Sequence, residues 1–219
     1  GTLDIIKKYE DFIDLWISEK DSGIYDAMNK GIQYSSGEYI GIINSGDLYN
    51  DNALSTIESY LTKSDEIDFI FGTVHKKILK SGFNKNKMYW SFDFYPSHST
   101  GFFISNKVQK KLGFYNTSFK LSADHDFFFR LIKNKFKGVA TKKSELIGYF
   151  TKDGGSFSST IDFFEQFNEE ISIRLNNKQN IFSILFIILL NYFLKISKNK
   201  KRSISLNQCI NLIKKCIQS

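Results

Sequence analysis

Cysteine is scarce in this 219-residue chain, and with it go the patterns of a disulfide scaffold or a metal-binding module. The two cysteines, Cys209 and Cys216, sit seven residues apart near the end of the chain. That spacing places them on one side of a helix, two turns apart and too distant to bond within it. The three histidines, His75, His98 and His125, are scattered, so there is no Cys/His cluster of the metal-ligating kind. This usage points to a reducing compartment. Proline occurs once, at Pro96, and no low-complexity tract interrupts the chain. Acid is missing from residues 195–219, where Lys195, Lys198, Lys200, Lys201, Arg202, Lys214 and Lys215 carry the whole net charge of +7. Residues 1–194 are therefore neutral. A nucleic-acid-binding domain would carry its cations over the folded surface, and that class is excluded. A neutral body with a basic tail suits contact with anionic lipid or another acidic partner, while a solvated terminal charge run stays open beside it.

What is present describes a globular enzyme-sized unit. With 42% hydrophobic and 24% charged residues the chain can bury one full core, with length left for an appendage. Apolar spacing predicts a short helix from Thr2, a strand over 12–17 and a helix over 24–34, stopped by Ser35-Ser36-Gly37. Tyr39-Ile40-Gly41-Ile42-Ile43 reads as a buried strand, followed by a helix over 52–61 and a second buried strand, Phe69-Ile70-Phe71. This alternation argues for an α/β domain with a mainly parallel sheet flanked by helices, with ligands beyond the carboxyl ends of the strands. Residues 76–97 read as hairpins and loops. Further strands are predicted over 100–104 and 146–150, and further helices over 107–112, 124–132 and 161–178. The apolar run Ile181 to Leu194 extends roughly 21 Å as a helix, short of a ~30 Å hydrocarbon core. It predicts an interfacial helix next to the basic cluster, or a helix packed on the core or on a second copy of the chain. The domain division expected is 1–160 for the α/β unit and 161–219 for a C-terminal helical extension.

Three polar clusters have the residue types that chemistry requires. In Asn44-Ser45-Gly46-Asp47 an acid follows a buried strand, and Gly46 lets the backbone approach a ligand. One such carboxylate with phosphate oxygens suffices for Mg²⁺ or Mn²⁺, although the same turn is also an ordinary loop. In the run from Ser18 to Gly31, acids cluster at a helix start, where Asp26 and in part Asp21 are already favourable structurally. Asn29 and Lys30 in that run also fit a plain helix surface. In Ser122-Ala123-Asp124-His125-Asp126, Asp126 is spaced to pair with Arg130. That leaves Asp124 as a general base, or as a helix cap.

The order of these clusters resembles the family 2 glycosyltransferases of GT-A fold, in particular the bacterial group that builds capsule, O-antigen and exopolysaccharide. The resemblance runs through SEKDSGIYDAMNKGIQYSSGEYIGIINSGD, Ser18 to Asp47, and HSTGFFISNKVQKKLGFYNTSFKLSADHDFFFRL, His98 to Leu131. With Gly154-Gly155-Ser156 it covers most of residues 2–160. It implies a Rossmann-related GT-A sheet and an inverting, metal-dependent transfer of sugar from a nucleotide-sugar donor to a lipid-linked or polysaccharide acceptor. Asp47 would ligate Mg²⁺ or Mn²⁺, and Asp21, Asn29, Lys30, Asn44, Gly46 and Ser156 would line the donor site. Asp124 would be the catalytic base and His98 an acceptor contact. The sequence departs from the usual pattern at Asn44 and Gly46, where many members have Asp, and at Ala123, where Glu is usual. Members begin with a strand, a helix and a second strand ending in an Asp-Gly-x-Ser turn. Gly1-Thr2 resembles the tail of that turn, which implies an N-terminally truncated chain lacking ~30 residues or more. The expected location is cytoplasmic, at the inner face of the cell membrane. Two other functions share parts of the pattern. One is a nucleotidyltransferase making sugar nucleotides, whose Gly-rich phosphate loop is not seen here. The other is a catalytically degenerate domain scaffolding a membrane complex.

Overall fold

The computed structural model of the chain describes residues 1–64, 66–86, 99–150 and 163–198. His98, the Gly154-Gly155-Ser156 turn and the tail with Cys209 and Cys216 lie outside the described residues. In chain order the elements are helices α1 (Thr2–Lys8) and α2 (Ile24–Tyr34), strands β1 (Tyr39–Gly41) and β2 (Leu48–Tyr49), and helix α3 (Ala53–Leu61). Strands β3 (Phe69–Phe71), β4 (Thr73–Lys76), β5 (Ile78–Lys80) and β6 (Phe102–Ser105) follow, then helices α4 (Asn106–Leu112) and α5 (Ala123–Lys133). Strands β7 (Gly138–Ala140) and β8 (Leu146–Tyr149) and helices α6 (Phe163–Asn176) and α7 (Ile181–Lys198) complete the set.

The main sheet has the order β1-β6-β3-β7. Strand β6 is antiparallel to both β1 and β3, and β3 is parallel to β7, so three of the four strands share a direction. The sheet is thus mixed rather than mainly parallel: only β3–β7 is a parallel pair, and β1 and β3 meet only through the reversed strand between them. A second sheet, β2-β8-β4-β5, contains the β4–β5 hairpin. Strand β3 is central and buried along its whole length, as its unbroken apolar sequence requires. Phe69 and Phe71 point to one face, into a cluster with Ile32 of α2, Phe102, Phe128 of α5 and Ile173 of α6. Ile70 points to the other face, with Ala53 and Ile57 of α3, Phe103 and Ile147. Helices therefore cover both faces of the sheet. The rings of Phe71 and Phe102 meet that of Phe128 edge-on at 5.2 and 4.7 Å. Gly138 permits β7 to approach, because a Cβ there would run into the Phe69 ring.

One expected strand is not formed. Residues 12–17 give a 3-10 turn, Glu10–Phe12, and then an unpaired run with Phe12 87% and Leu15 56% exposed. Apolar alternation makes a strand only where a neighbour supplies the ladder, and among the described residues none pairs with this segment. The helices predicted over 24–34 and 52–61 and the strand over 69–71 form within a residue of their expected limits, whereas the short strands β2 and β7 carry too little pattern to be foreseen.

Helix α7 packs Ile184 and Ile188 against Phe167 and Ile171 of α6. Its opposite side exposes Phe182 and Leu189. No helix among the described residues is long and apolar enough to cross a membrane. Helices α5 and α6 also meet through buried polar groups: His125 Nδ1 lies 3.4 Å from Glu170 Oε1. Burial, and then the charge of Arg174, hold His125 down to about 3, so its imidazole is neutral in the folded protein. The unfolded chain binds that proton near pH 6.5. His125 thus favours the folded state fully above about pH 6.5, and its contribution is lost as the pH falls toward 3. Urea unfolding is expected to show about 1 kcal/mol less stability at pH 5.5 than at pH 7.5 from this group. His125→Gln should remove that difference; an unchanged pH slope in the variant would contradict the assignment.

Candidate active site

Strand β6 runs against its neighbours, so the residues that lead into it lie beyond the carboxyl ends of β1 and β3. Its register fixes this, with Gly41 opposite Phe103 and Phe71 opposite Phe102. The 3-10 turn Ser99–Gly101 therefore meets the turn that follows β1. Thr100 donates its hydroxyl to Asp47 Oδ2 at 2.5 Å, and Asn44 donates from Nδ2 to Ser99 Oγ at 2.7 Å. The turn itself closes with Asp47 N–H on the Asn44 carbonyl at 3.0 Å. Gly46 sits at φ 86°, a conformation that favours glycine. Asp47 is buried and Thr100 wholly so. Ser99 and Thr100 were not singled out in the sequence. The available signal was a pair of hydroxyls immediately before an apolar strand, which becomes informative only once the strand is known to be reversed.

Helix α2 leads into β1 through residues 35–38, and the acids of the preceding run sit at its N-terminus. Asp21 Oδ1 accepts the Gly23 N–H at 2.9 Å, and Asp26 Oδ2 accepts the Ser22 N–H at 2.9 Å. These bonds satisfy backbone donors at the helix start. Lys30 lies 2.7 Å from Glu19 Oε1 and donates to the Lys20 carbonyl at 2.9 Å, and its pKa is raised chiefly by the bond to Glu19. Asp21 and Lys30 share a cleft of about 540 Å³ with Asp14, Leu15, Glu19 and Tyr34. Neither Asp47 nor Asp124 lines that cleft. Asn29, expected along the donor site, makes a tertiary clasp: its amide accepts from the Tyr115 N–H and donates to the Tyr115 carbonyl, each at 2.9 Å. A side-chain amide paired in this way on a backbone holds α2 to the loop before α5.

Asp124 lies in the first turn of α5. Its Oδ1 accepts the His125 N–H at 2.9 Å and the Tyr25 hydroxyl at 3.1 Å. The Tyr25 hydroxyl also lies 3.2 Å from the Leu121 carbonyl. Burial first, then the charge of Asp124, raise the pKa of Tyr25, so the phenol keeps its proton and acts as the donor. Tyr25, which the sequence analysis did not single out, thus ties the base candidate to the helix whose start carries Asp21. Asp126, two residues on, has a different role. Its carboxylate accepts from Arg130 Nε at 2.8 Å and from Asn177 Nδ2 at 2.8 Å, and Arg130 also holds the Leu112 and Phe114 carbonyls.

The metal expectation is tested by the donor set. Among the described residues, no group of three or more His, Cys, Asp or Glu can enclose an ion. A single carboxylate, Asp47, fits an Mg²⁺ or Mn²⁺ ion shared with a diphosphate, since such ions commonly take one or two carboxylates and complete their shell with phosphate and water.

Comparison with known proteins bears on the family and the fold. The family profile described as "Glycosyl transferase family 2" matches residues 1–134. A "PGL/p-HBAD biosynthesis glycosyltransferase" of Mycobacterium bovis is 23% identical over 151 residues, 65% of this chain and 56% of that protein. An uncharacterized glycosyltransferase of Methanocaldococcus jannaschii is 28% identical over 151 residues, 61% of this chain and 50% of that protein. The chain thus spans about half the length of the curated relatives it matches. Among solved structures, Staphylococcus aureus TarS 1–349 in complex with UDP-GlcNAc superposes with a TM-score of 0.66 at 18% identity, over 99% of this chain and 68% of that one. At that identity the likeness shows the GT-A fold.

The contrast between the neighbouring acids of α5 is measurable. Asp126→Ala leaves Arg130 and Asn177 without their shared acceptor, and an expected loss of about 3 kcal/mol is to be read from urea unfolding. A loss under about 1 kcal/mol would show that the paired carboxylate is not a structural anchor.

Proposed function

The chain belongs to glycosyl transferase family 2, and from that membership we propose that it transfers a sugar from a nucleotide-sugar donor to a hydroxyl of a lipid-linked or polysaccharide acceptor, with inversion. The observation that carries this reading is the Tyr25–Asp124 bond. It fastens the base candidate to the helix that begins beside Asp21. TarS, a protein of the same fold, is known in complex with UDP-GlcNAc, which supports a nucleotide sugar as the donor class.

Asp124 accepts the proton of the acceptor hydroxyl as its oxygen attacks the anomeric carbon. The attack comes from the face opposite the departing diphosphate, so one displacement inverts the stereochemistry. Asp21 and the Asn44–Gly46 turn hold the donor, and Lys30, moving from Glu19, offsets negative charge on the leaving group. Asp47, kept in place by Thr100, would hold Mg²⁺ or Mn²⁺. When bound, the ion supplies charge neutralisation at the diphosphate. His98 as an acceptor contact and Ser156 as a diphosphate contact rest on the family resemblance. The biological setting proposed is cell-surface polysaccharide synthesis at the cytoplasmic face of the membrane. Helix α7 and the basic residues after it would meet anionic lipid there.

Two measurements test this. Release of nucleoside diphosphate from a panel of UDP-, GDP- and dTDP-sugars with Mn²⁺ should identify a donor. Asp124→Asn and Asp47→Ala should each lower transfer about 100-fold or more without a matching loss of melting temperature. Transfer that survives both substitutions rules out the assigned site. For the surface, the protein should float with anionic liposomes and not with neutral ones, and deletion of residues 180–219 should abolish flotation. Equal binding after the deletion would remove α7 and the tail from the account.

A further inference from the structure

The entry to α5 is held from outside the helix. Helix α5 has no side-chain N-cap bond, and Ser122 at the cap position keeps its buried hydroxyl without a hydrogen-bond partner among the described residues. In place of the cap, a carboxylate from the C-terminal helix α6 receives the loop. Glu169 Oε1 accepts the Lys120 N–H at 2.8 Å and Glu169 Oε2 accepts the Leu121 N–H at 2.9 Å. Two parallel, charge-assisted bonds fix both the position and the tilt of a peptide segment, as a single bond does not. The Leu121 carbonyl then faces the Tyr25 hydroxyl that also reaches Asp124. A continuous path therefore runs from Glu169 through the 120–121 backbone to the atoms around Asp124.

Helix α6 is itself anchored where it carries Glu169. Ile173, one turn on, belongs to the main core cluster, and Asn177, one turn further, bonds Asp126. The three residues follow at i, i+4 and i+8, which places them on one face of α6, against α5. Glu169 lies beyond residues 1–134, the part matched by the family profile.

We infer that Glu169 is a positioning residue for Asp124, so that the C-terminal helix is a component of the catalytic machinery. The inference rests on the reading of Asp124 as the base. Proton transfer depends on placement of the base to within about 1 Å, and a shift of that size costs about 100-fold in rate. The test uses UDP-GlcNAc with Mn²⁺, or whichever of the UDP-, GDP- and dTDP-sugars is turned over fastest. Glu169→Ala should lower kcat about 10- to 100-fold with the donor KM within about twofold, and Glu169→Gln, which keeps one acceptor oxygen, should recover part of the loss. Because Glu169 acts through Asp124, adding Glu169→Ala to Asp124→Asn should cost nothing further. Hydrogen exchange at residues 120–124 should quicken about tenfold or more in Glu169→Ala while that of β3 stays unchanged. Loss of transfer in Asp124→Asn with none in Glu169→Ala overturns the positioning role alone. Additive losses in the double variant, or unchanged exchange at 120–124, overturn it as well. Full transfer in Asp124→Asn instead overturns the base assignment, and the inference with it.

Discussion

The reversal of one strand organises this protein. Because β6 runs opposite to β1 and β3, the residues ahead of it arrive where the other strands leave the sheet. Thr100 and Ser99 thereby come to Asp47 and Asn44, and two segments more than fifty residues apart in sequence form one polar edge. The same strand carries Phe102 and Phe103 to opposite faces, Phe102 among the rings of Phe71 and Phe128, Phe103 beside Ile70 and Ile147. The packing that stabilises the sheet and the bonds that shape its rim thus depend on a single choice of direction.

Around α5, four carboxylates of similar intrinsic acidity take different roles because their surroundings differ. Asp126 has each oxygen bonded in the interior, one to Arg130 and one to Asn177, and joins α5 to α6. Asp124, two residues earlier, points toward α2 and receives a phenol. Glu170 sits in the interior beside a histidine that burial keeps neutral. Glu169 reaches out of α6 to a pair of backbone amides. Desolvation makes each of these groups depend on a specific partner, and all the partners but Arg130 come from distant parts of the chain.

Helix α7 combines two environments on one short element. Its isoleucines close the groove beside α6, while Phe182 remains 76% and Leu189 46% exposed. Its composition alone is compatible with a core helix, an interface between copies or a lipid surface. The lipid contact proposed above would draw on that exposed side and on the basic residues that follow in sequence.

How much could be read from sequence follows from how local each feature is. The helices over 24–34 and 52–61 and the strand Phe69-Ile70-Phe71 depend on apolar periodicity and on the breakers that flank them, so short-range pattern was sufficient. The Asp126–Arg130 pair was visible for the same reason, since four residues on a helix bring two side chains together. The polar clusters and their order, with the family resemblance, named Asp47, Asp21 and Asp124 as candidates. Tertiary structure alone decided the rest. Among the described residues the alternating run at 12–17 found no partner strand, and Asn29, expected along the donor site or on a plain helix surface, clasps Tyr115. Tyr25, Thr100 and Glu169 gained their partners through contacts across 99, 53 and 48 residues. Local pattern fixes which backbone conformations are favourable; which side chains meet is set by strand direction and helix packing, and these are properties of the whole fold.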